Sequence, residues 1–199
     1  MKESGALSER FKEALDLAFD LHGQDFRKQS SIPYLAHLLG VCTLVLNHGG
    51  DEDDAIAALL HDALEDKPDL IKSEEIRRRF GDRVTTIVLL CTDTPEDYHG
   101  GLKPPWQERK SAFLEKIQNS EPELLLVALA DKVNNAKAIL QDLRLIGDKV
   151  FERFSVPKEK TYWYYQQAIK AFEQAGSKSM LLVELRETFR EIQRLSPLK

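Results

Sequence analysis

The sequence predicts an all-α globule of about eight to ten helices. Three observations carry that expectation. Apolar residues recur at i, i+3, i+4 and i+7 through nearly every segment, as they do along one buried face of a helix. The β-branched stretch from Val84 to Cys91 has no partner strand elsewhere, so it too is expected to be helical. The composition, 42% hydrophobic and 31% charged over 199 residues, is that of one soluble domain with a substantial core.

The elements follow in order. The first helix is expected over Leu7 to Leu21, where Phe11, Ala14, Leu15, Ala18 and Phe19 share a face and Ser4 or Ser8 supplies the cap. Pro33 suits a helix start, and Tyr34 to Leu46 is apolar-periodic until Gly49-Gly50 stops it. Asp51 is placed to cap a third helix, which runs through Ala55–Leu60 into His61-Asp62-Ala63-Leu64-Glu65-Asp66. Ser73-Glu74-Glu75-Ile76 opens the next, and Phe80-Gly81-Asp82 joins it to the segment ending at Cys91. Thr92 to Pro105, with three prolines and two glycines, is a long loop of the kind that often carries function. Trp106 to Ile117, Pro122 to Ile146, Lys158 to Ala175 and Met180 to Leu195 complete the helices. The last of these is amphipathic through Leu181, Leu185, Phe189 and Ile192. It is expected to pack on the domain, with a second copy of the chain as the other occupant. The chain therefore divides into a domain over 1–175 and a helical extension over 176–199.

Composition also excludes functions. A net charge of −5 gives no general reason to expect nucleic acid as a partner. No run of about 18 apolar residues is present to cross a membrane, and Met1-Lys2-Glu3-Ser4-Gly5 is not the start of a signal peptide. Cys42 and Cys91 stand alone in apolar surroundings, as reduced thiols of a cytoplasmic protein do.

The chemistry concentrates on His61, Asp62, Glu65 and Asp66. In one continuous helix, positions i, i+1, i+4 and i+5 form a strip. Three carboxylates and an imidazole packed together repel unless a divalent cation joins them. Two other segments can complete such a site. One is Pro33-Tyr34-Leu35-Ala36-His37; the other is Leu129-Ala130-Asp131-Lys132-Val133-Asn134-Asn135, where Asp131 and Asn135 share a helix face. Asp131 follows an apolar run, so it should face inward and needs a partner. Two histidines and two aspartates suit Mn²⁺, Fe²⁺, Zn²⁺ or Co²⁺, and suit Mg²⁺ less.

These segments, in this order, resemble the HD-domain phosphohydrolases, and within them the hydrolase domain of the RelA/SpoT family. The matching text is Ala18–Gln24, Arg27-Lys28, Pro33–His37, Asp51–Asp53, Ala57–Asp66, Phe80-Gly81, Thr92-Asp93, Glu108–Lys110 and Leu129–Asn135. The likeness covers about residues 10 to 170, and Arg27-Lys28 with Glu65-Asp66 set this branch apart from HD proteins at large. The length leaves no room for a synthetase or regulatory domain, so a stand-alone small alarmone hydrolase is the expectation. The resemblance implies one Mn²⁺ on His37, His61, Asp62 and Asp131. It makes Glu65 and Asp66 the residues that position and deprotonate water. It assigns Arg27, Lys28, Asn135, Lys160 and Tyr164 to a nucleotide substrate. The implied reaction is hydrolysis of the 3′-pyrophosphate of guanosine 3′,5′-bis(diphosphate).

The sequence departs from that pattern at two places. Ala136-Lys137-Ala138 follows Asn135, so a polar side chain is lost at Ala138. The 92–106 loop brings in His99, the Gly100-Gly101 hinge, Lys103 and Trp106, which either stacks on a base or anchors the helix it starts. Adenine alarmones, the 2′-phosphate of NADPH, or a nucleotide-binding module without turnover are the alternatives these departures leave open. Lys132 is either a cation of the site or part of a solvated face.

Overall fold

The computed structural model describes residues 6–94, 98 and 101–198. Its helices are α1 (Glu9–His22), α2 (Leu35–Asn47), α3 (Glu52–Leu60), α4 (Ala63–Asp66), α5 (Ser73–Phe80), α6 (Asp82–Cys91), α7 (Trp106–Gln118), α8 (Leu126–Ile146), α9 (Lys158–Gln174) and α10 (Met180–Leu195). Among the described residues no strand forms, and Phe26 and Pro33 make an isolated bridge in the connection between α1 and α2. None of the described helices is long and apolar enough to cross a membrane. The all-α expectation is met.

Two helices make the centre. Every residue of α3 from Asp54 to Leu60 is buried, and the helix touches α1, α2, α6 and α8. Its run of alanines lets those neighbours approach closely, while Ile56, Leu59 and Leu60 fill the space between them. Each such large aliphatic side chain contributes about 1.5–3 kcal/mol by leaving water. The Asp51 carboxylate caps α3 by accepting the Asp54 N–H at 3.1 Å, and Asp54 returns the bond to the Asp51 N–H at 3.1 Å. The second central helix, α8, lies against α2, α3, α6 and α10. The inner face of α10 (Leu181, Leu185, Phe189, Ile192) is buried there, and the Ser179 hydroxyl caps its start.

The β-branched segment is helical, as expected. Gly81, at φ +91°, ends α5 and turns the chain into α6. Thr85 and Thr86 then donate their hydroxyls to the carbonyls four residues back, each at 2.9 Å. Ser8 caps α1; Ser4, His99 and Gly100 lie outside the described residues.

Three expectations need correction. The helix carrying the acidic strip is not continuous: α3 ends at Leu60, His61 and Asp62 form a turn, and α4 is a separate four-residue helix. Adjacent residues of a continuous helix point about 100° apart. The turn at Asp62 (φ −97°, ψ −5°) lets the two neighbours face one point instead. Pro122 does not begin α8. It opens a 3-10 turn over Pro122–Leu124 that places Leu125 fully inside, and the α-helix starts at Leu126. A second 3-10 segment, Gly147–Arg153, follows α8 where the sequence showed no helical period; Gly147 at φ +64° starts it.

Candidate active site

His37 from the first turn of α2, His61 and Asp62 from the α3–α4 turn, and Asp131 from α8 converge beneath the surface. The two Nε2 atoms are 3.2 Å apart. Asp62 Oδ2 is 3.0 Å from His61 Nε2 and 3.5 Å from His37 Nε2; Asp131 Oδ1 is 3.3 Å from His37 Nε2 and 3.7 Å from His61 Nε2. Metal–ligand bonds of about 2.0–2.2 Å at tetrahedral or octahedral angles put neighbouring donors about 3.0–3.5 Å apart. His37, His61 and Asp62 offer three donor atoms within 4.8 Å of one another, which fits one divalent cation, and Asp131 stands beside both histidines but outside that three-residue set.

A surrounding layer sets each donor's direction. His61 Nδ1–H donates to the Ala58 carbonyl at 2.8 Å, which leaves Nε2 facing the centre. His37 Nδ1–H donates to Asn134 Oδ1 at 2.8 Å. The Tyr34 hydroxyl donates to Asp62 Oδ2 at 2.6 Å. Asn135 Nδ2 donates to Asp131 Oδ1 at 2.5 Å, and the Lys132 ammonium donates to Asp131 Oδ2 at 2.6 Å. Asn134 and Tyr34 are functional positions that the sequence reading missed, although both stand inside the segments it singled out. Asn134 fits because residue 40 is glycine: a Cβ there would lie 2.5 Å from Asn134 Nδ2.

The electrostatics favour positive charge at the centre. Burial opposes ionised histidine, yet Asp62 and Asp131 raise both imidazoles above their ordinary value. The Lys132 side chain is 11% exposed, and Asp131 beside it holds its ammonium well above the usual lysine range. Its amine lies 4.6 Å from the centroid of the Phe113 ring. Lys132 therefore belongs to the site and not to a solvated face. The Cys42 thiol is buried, as expected, and pushed up to about 11. Cys91 borders the metal chamber, where burial pushes its thiol up to about 12.

Glu65 lines that chamber; Asp66 does not. Lys103 of the long loop reaches Glu65 Oε1 at 2.9 Å. Burial, with Asp62 and Glu65 close by, pushes Asp66 up to about 6. Asp93 also faces the chamber and holds two cations on α7, the Arg109 guanidinium and the Lys110 ammonium, the latter at 2.5 Å. Despite burial, those two cations lower Asp93 to about 2. The roles of Asp93, Lys103 and Lys110 were not legible from spacing, because each depends on how the 92–105 loop and α7 pack.

The metal chamber adjoins a cavity of about 360 Å³, and Arg27, Lys110, Lys132 and Asn135 line both. Arg27 donates to Asn135 Oδ1 at 2.6 Å, which links it through Asn135 to Asp131. Lys28, although exposed, lines the cavity. Tyr164 lines it as well, buried, with a hydroxyl that has no partner among the described residues. Lys160 lines neither space; its amine stands 5.9 Å over the ring of Trp106. Trp106 both starts α7 and lines the cavity, with the Trp163 ring 6.1 Å away.

The model of a family described as HD domain matches residues 14–154. A guanosine-3′,5′-bis(diphosphate) 3′-pyrophosphohydrolase from Aquifex aeolicus is 32% identical over 66% of this chain, which spans 18% of that protein's length. The mouse protein of the same printed activity, MESH1, is 30% identical over 94% of this chain and 97% of its own length. A solved structure, described as a metazoan ortholog of SpoT that hydrolyzes ppGpp, superposes with a TM-score of 0.74 at 27% identity. The superposition covers 94% of this chain and 98% of the other.

Proposed function

Because this chain belongs to the HD-domain family, we propose that it hydrolyses the 3′-pyrophosphate of guanosine 3′,5′-bis(diphosphate). Pyrophosphate leaves, with GDP from ppGpp or GTP from pppGpp as the other product. The observation that carries this reading is a cluster of His37, His61 and Asp62, with Asp131 beside it, adjoining a cavity lined by Arg27, Lys110 and Lys132. The printed activity of the Aquifex and mouse relatives supports it.

His37, His61, Asp62 and Asp131 would hold one divalent cation, for which we take Mn²⁺, since two imidazoles suit it better than Mg²⁺. When bound, the cation polarises a phosphoryl oxygen and makes water at the centre more acidic. The chain's own groups do the rest. Glu65, lining the chamber and held by Lys103, orients the attacking water. Asp66, outside the chamber but next in the chain and sharing Lys103 with Glu65, is raised to about 6 and takes the proton that Glu65 passes on near neutral pH. Lys110 and Lys132 face the charge that builds on the transferred group, and Asp93 keeps Lys110 and Arg109 in place. Arg27, held by Asn135, offers a planar guanidinium that can stack on a purine, and Lys28 and Tyr164 line the same cavity. Lys160 reaches the nucleotide only by way of Trp106.

The reading extends to a cytoplasmic protein whose partner is a small nucleotide and not nucleic acid. Its catalytic unit is residues 1–175, with 176–199 packed on it, and a homo-oligomer is compatible with the reading. Phosphorus NMR of the Mn²⁺-loaded protein with ppGpp tests the activity. Pyrophosphate and GDP are expected in equal amounts, and neither with Asp62→Ala. Orthophosphate as the product, or no turnover by folded, loaded protein, would sink the proposal.

A further inference from the structure

Resting on the hydrolase reading above, we propose that Asp142, held by Arg153, selects guanine over adenine at the far end of the nucleotide cavity. Helix α8 runs along the whole site. Asp131, Asn135, Ala138, Ile139 and Asp142 fall at i, i+4, i+7, i+8 and i+11, so they share one face. Asp131 is at the metal centre, and Asn135, Ala138, Ile139 and Asp142 line the cavity in turn. At 1.5 Å per residue, Asp142 stands about 16 Å along the axis from Asp131. The phosphates enter at the Asp131 end, where Lys110 and Lys132 line both spaces, and Arg27 sits on Asn135 one turn further along. The opposite end receives the base.

Asp142 is the only carboxylate that lines this cavity among the described residues. A carboxylate facing a polyanionic substrate is unfavourable anywhere except opposite hydrogen-bond donors. Its Oδ2 accepts from Arg153 Nη1 at 2.5 Å, which fixes the carboxylate's orientation. Its Oδ1 accepts no hydrogen bond from the described residues. The two side chains are 29% and 27% exposed, so bulk water competes only in part.

The chemistry of the bases decides which one such a group accepts. Guanine presents N1–H and N2–H₂ side by side, two donors for a carboxylate that can only accept. Adenine presents the N1 lone pair beside its amino group, and that lone pair opposes a carboxylate oxygen. The other polar side chains near this end, Gln141, Ser155 and Thr161, can rotate to donate or accept and so do not discriminate. Ala138 and Ile139 offer only apolar wall, which leaves Asp142 as the one side chain on this helix face beyond Asn135 that can only accept.

The test compares guanosine, inosine and adenosine 3′,5′-bis(diphosphates) as substrates of the wild type and of Asp142→Asn. The wild type is expected to favour guanosine over adenosine in kcat/KM by about 100-fold, with inosine, which lacks the N2 amine, between them. Asp142→Asn, whose amide can donate to adenine N1, is expected to narrow the gap to about tenfold or less by losing guanosine activity and gaining adenosine activity. Calorimetric binding of GDP against ADP reads the same preference without turnover. A wild type that prefers GDP but hydrolyses no bis(diphosphate) would overturn the hydrolase reading and leave this inference standing. Equal affinity for GDP and ADP, or full guanine preference retained in Asp142→Asn, would overturn the inference.

Discussion

Single carboxylates in this site differ by what surrounds them, and their acid behaviour follows. Asp66 is pushed up by burial and by Asp62 and Glu65 to about 6. It is the accepting base only above that value, and a bound cation draws the value lower. The pH profile of kcat/KM is therefore expected to fall on its acid side at or below about pH 6. Asp66→Asn should lower kcat by about 100-fold or more and remove that acid limb from the residual rate. An unchanged limb in the variant would assign the proton to another group. Asp93 behaves in the opposite sense. Its folded-state value of about 2 lies below its ordinary 3.8, because Lys110 and Arg109 outweigh its burial. The unfolded chain thus takes up the proton first. Stability from this group is complete above about pH 4 and is lost as pH falls toward 2. The loss is about 2–3 kcal/mol at 1.36 kcal/mol per unit. Denaturant titrations from pH 5 to about 2 measure it, and Asp93→Asn should remove that part of the dependence.

Between helices, close approach does what single residues cannot. Gly40 in α2 leaves the space in which Asn134 of α8 reaches His37. Alanine in place of glycine raises helix propensity by about 1 kcal/mol. The same methyl would meet the Asn134 amide at 2.5 Å. Gly40→Ala is therefore expected to keep or raise the melting temperature while weakening metal affinity about 10- to 100-fold. Calorimetric metal titration alongside thermal unfolding separates the two effects; equal metal affinity would mean Asn134 does not orient His37. Elements of this kind were partly legible beforehand. Periodicity found the long helices, and α10 runs over the expected residues. It did not find the break after Leu60, because a run of good helix formers continues straight through a turn that only the histidine and aspartate donors require. The 3-10 segment over Gly147–Arg153 was also missed, since three residues per turn leaves no 3.6-residue signature.

At the scale of the whole molecule, charge is distributed against its own sum. The net charge is −5, yet Arg27, Lys28, Lys110 and Lys132 gather around one cavity. A polyanionic substrate is drawn to that local field, which salt screens. Raising ionic strength from about 0.05 to about 0.5 M is expected to raise KM about tenfold with little change in kcat. A flat KM would mean that the cations are neutralised by their protein partners before substrate arrives. The four expected metal donors could be proposed from the sequence because they lie in three recognisable segments. Arg27, Lys28 and Lys132 were candidates too, but Lys110 was not, since it joins Lys132 only over the ring of Tyr164 in α9. The same packing places both of the chain's tryptophans at one spot, Trp106 on the cavity wall and Trp163 against it. All of the indole fluorescence therefore originates beside the nucleotide site. The protein carries its own optical reporter there, and ligand entry can be followed by stopped-flow emission without attaching a dye.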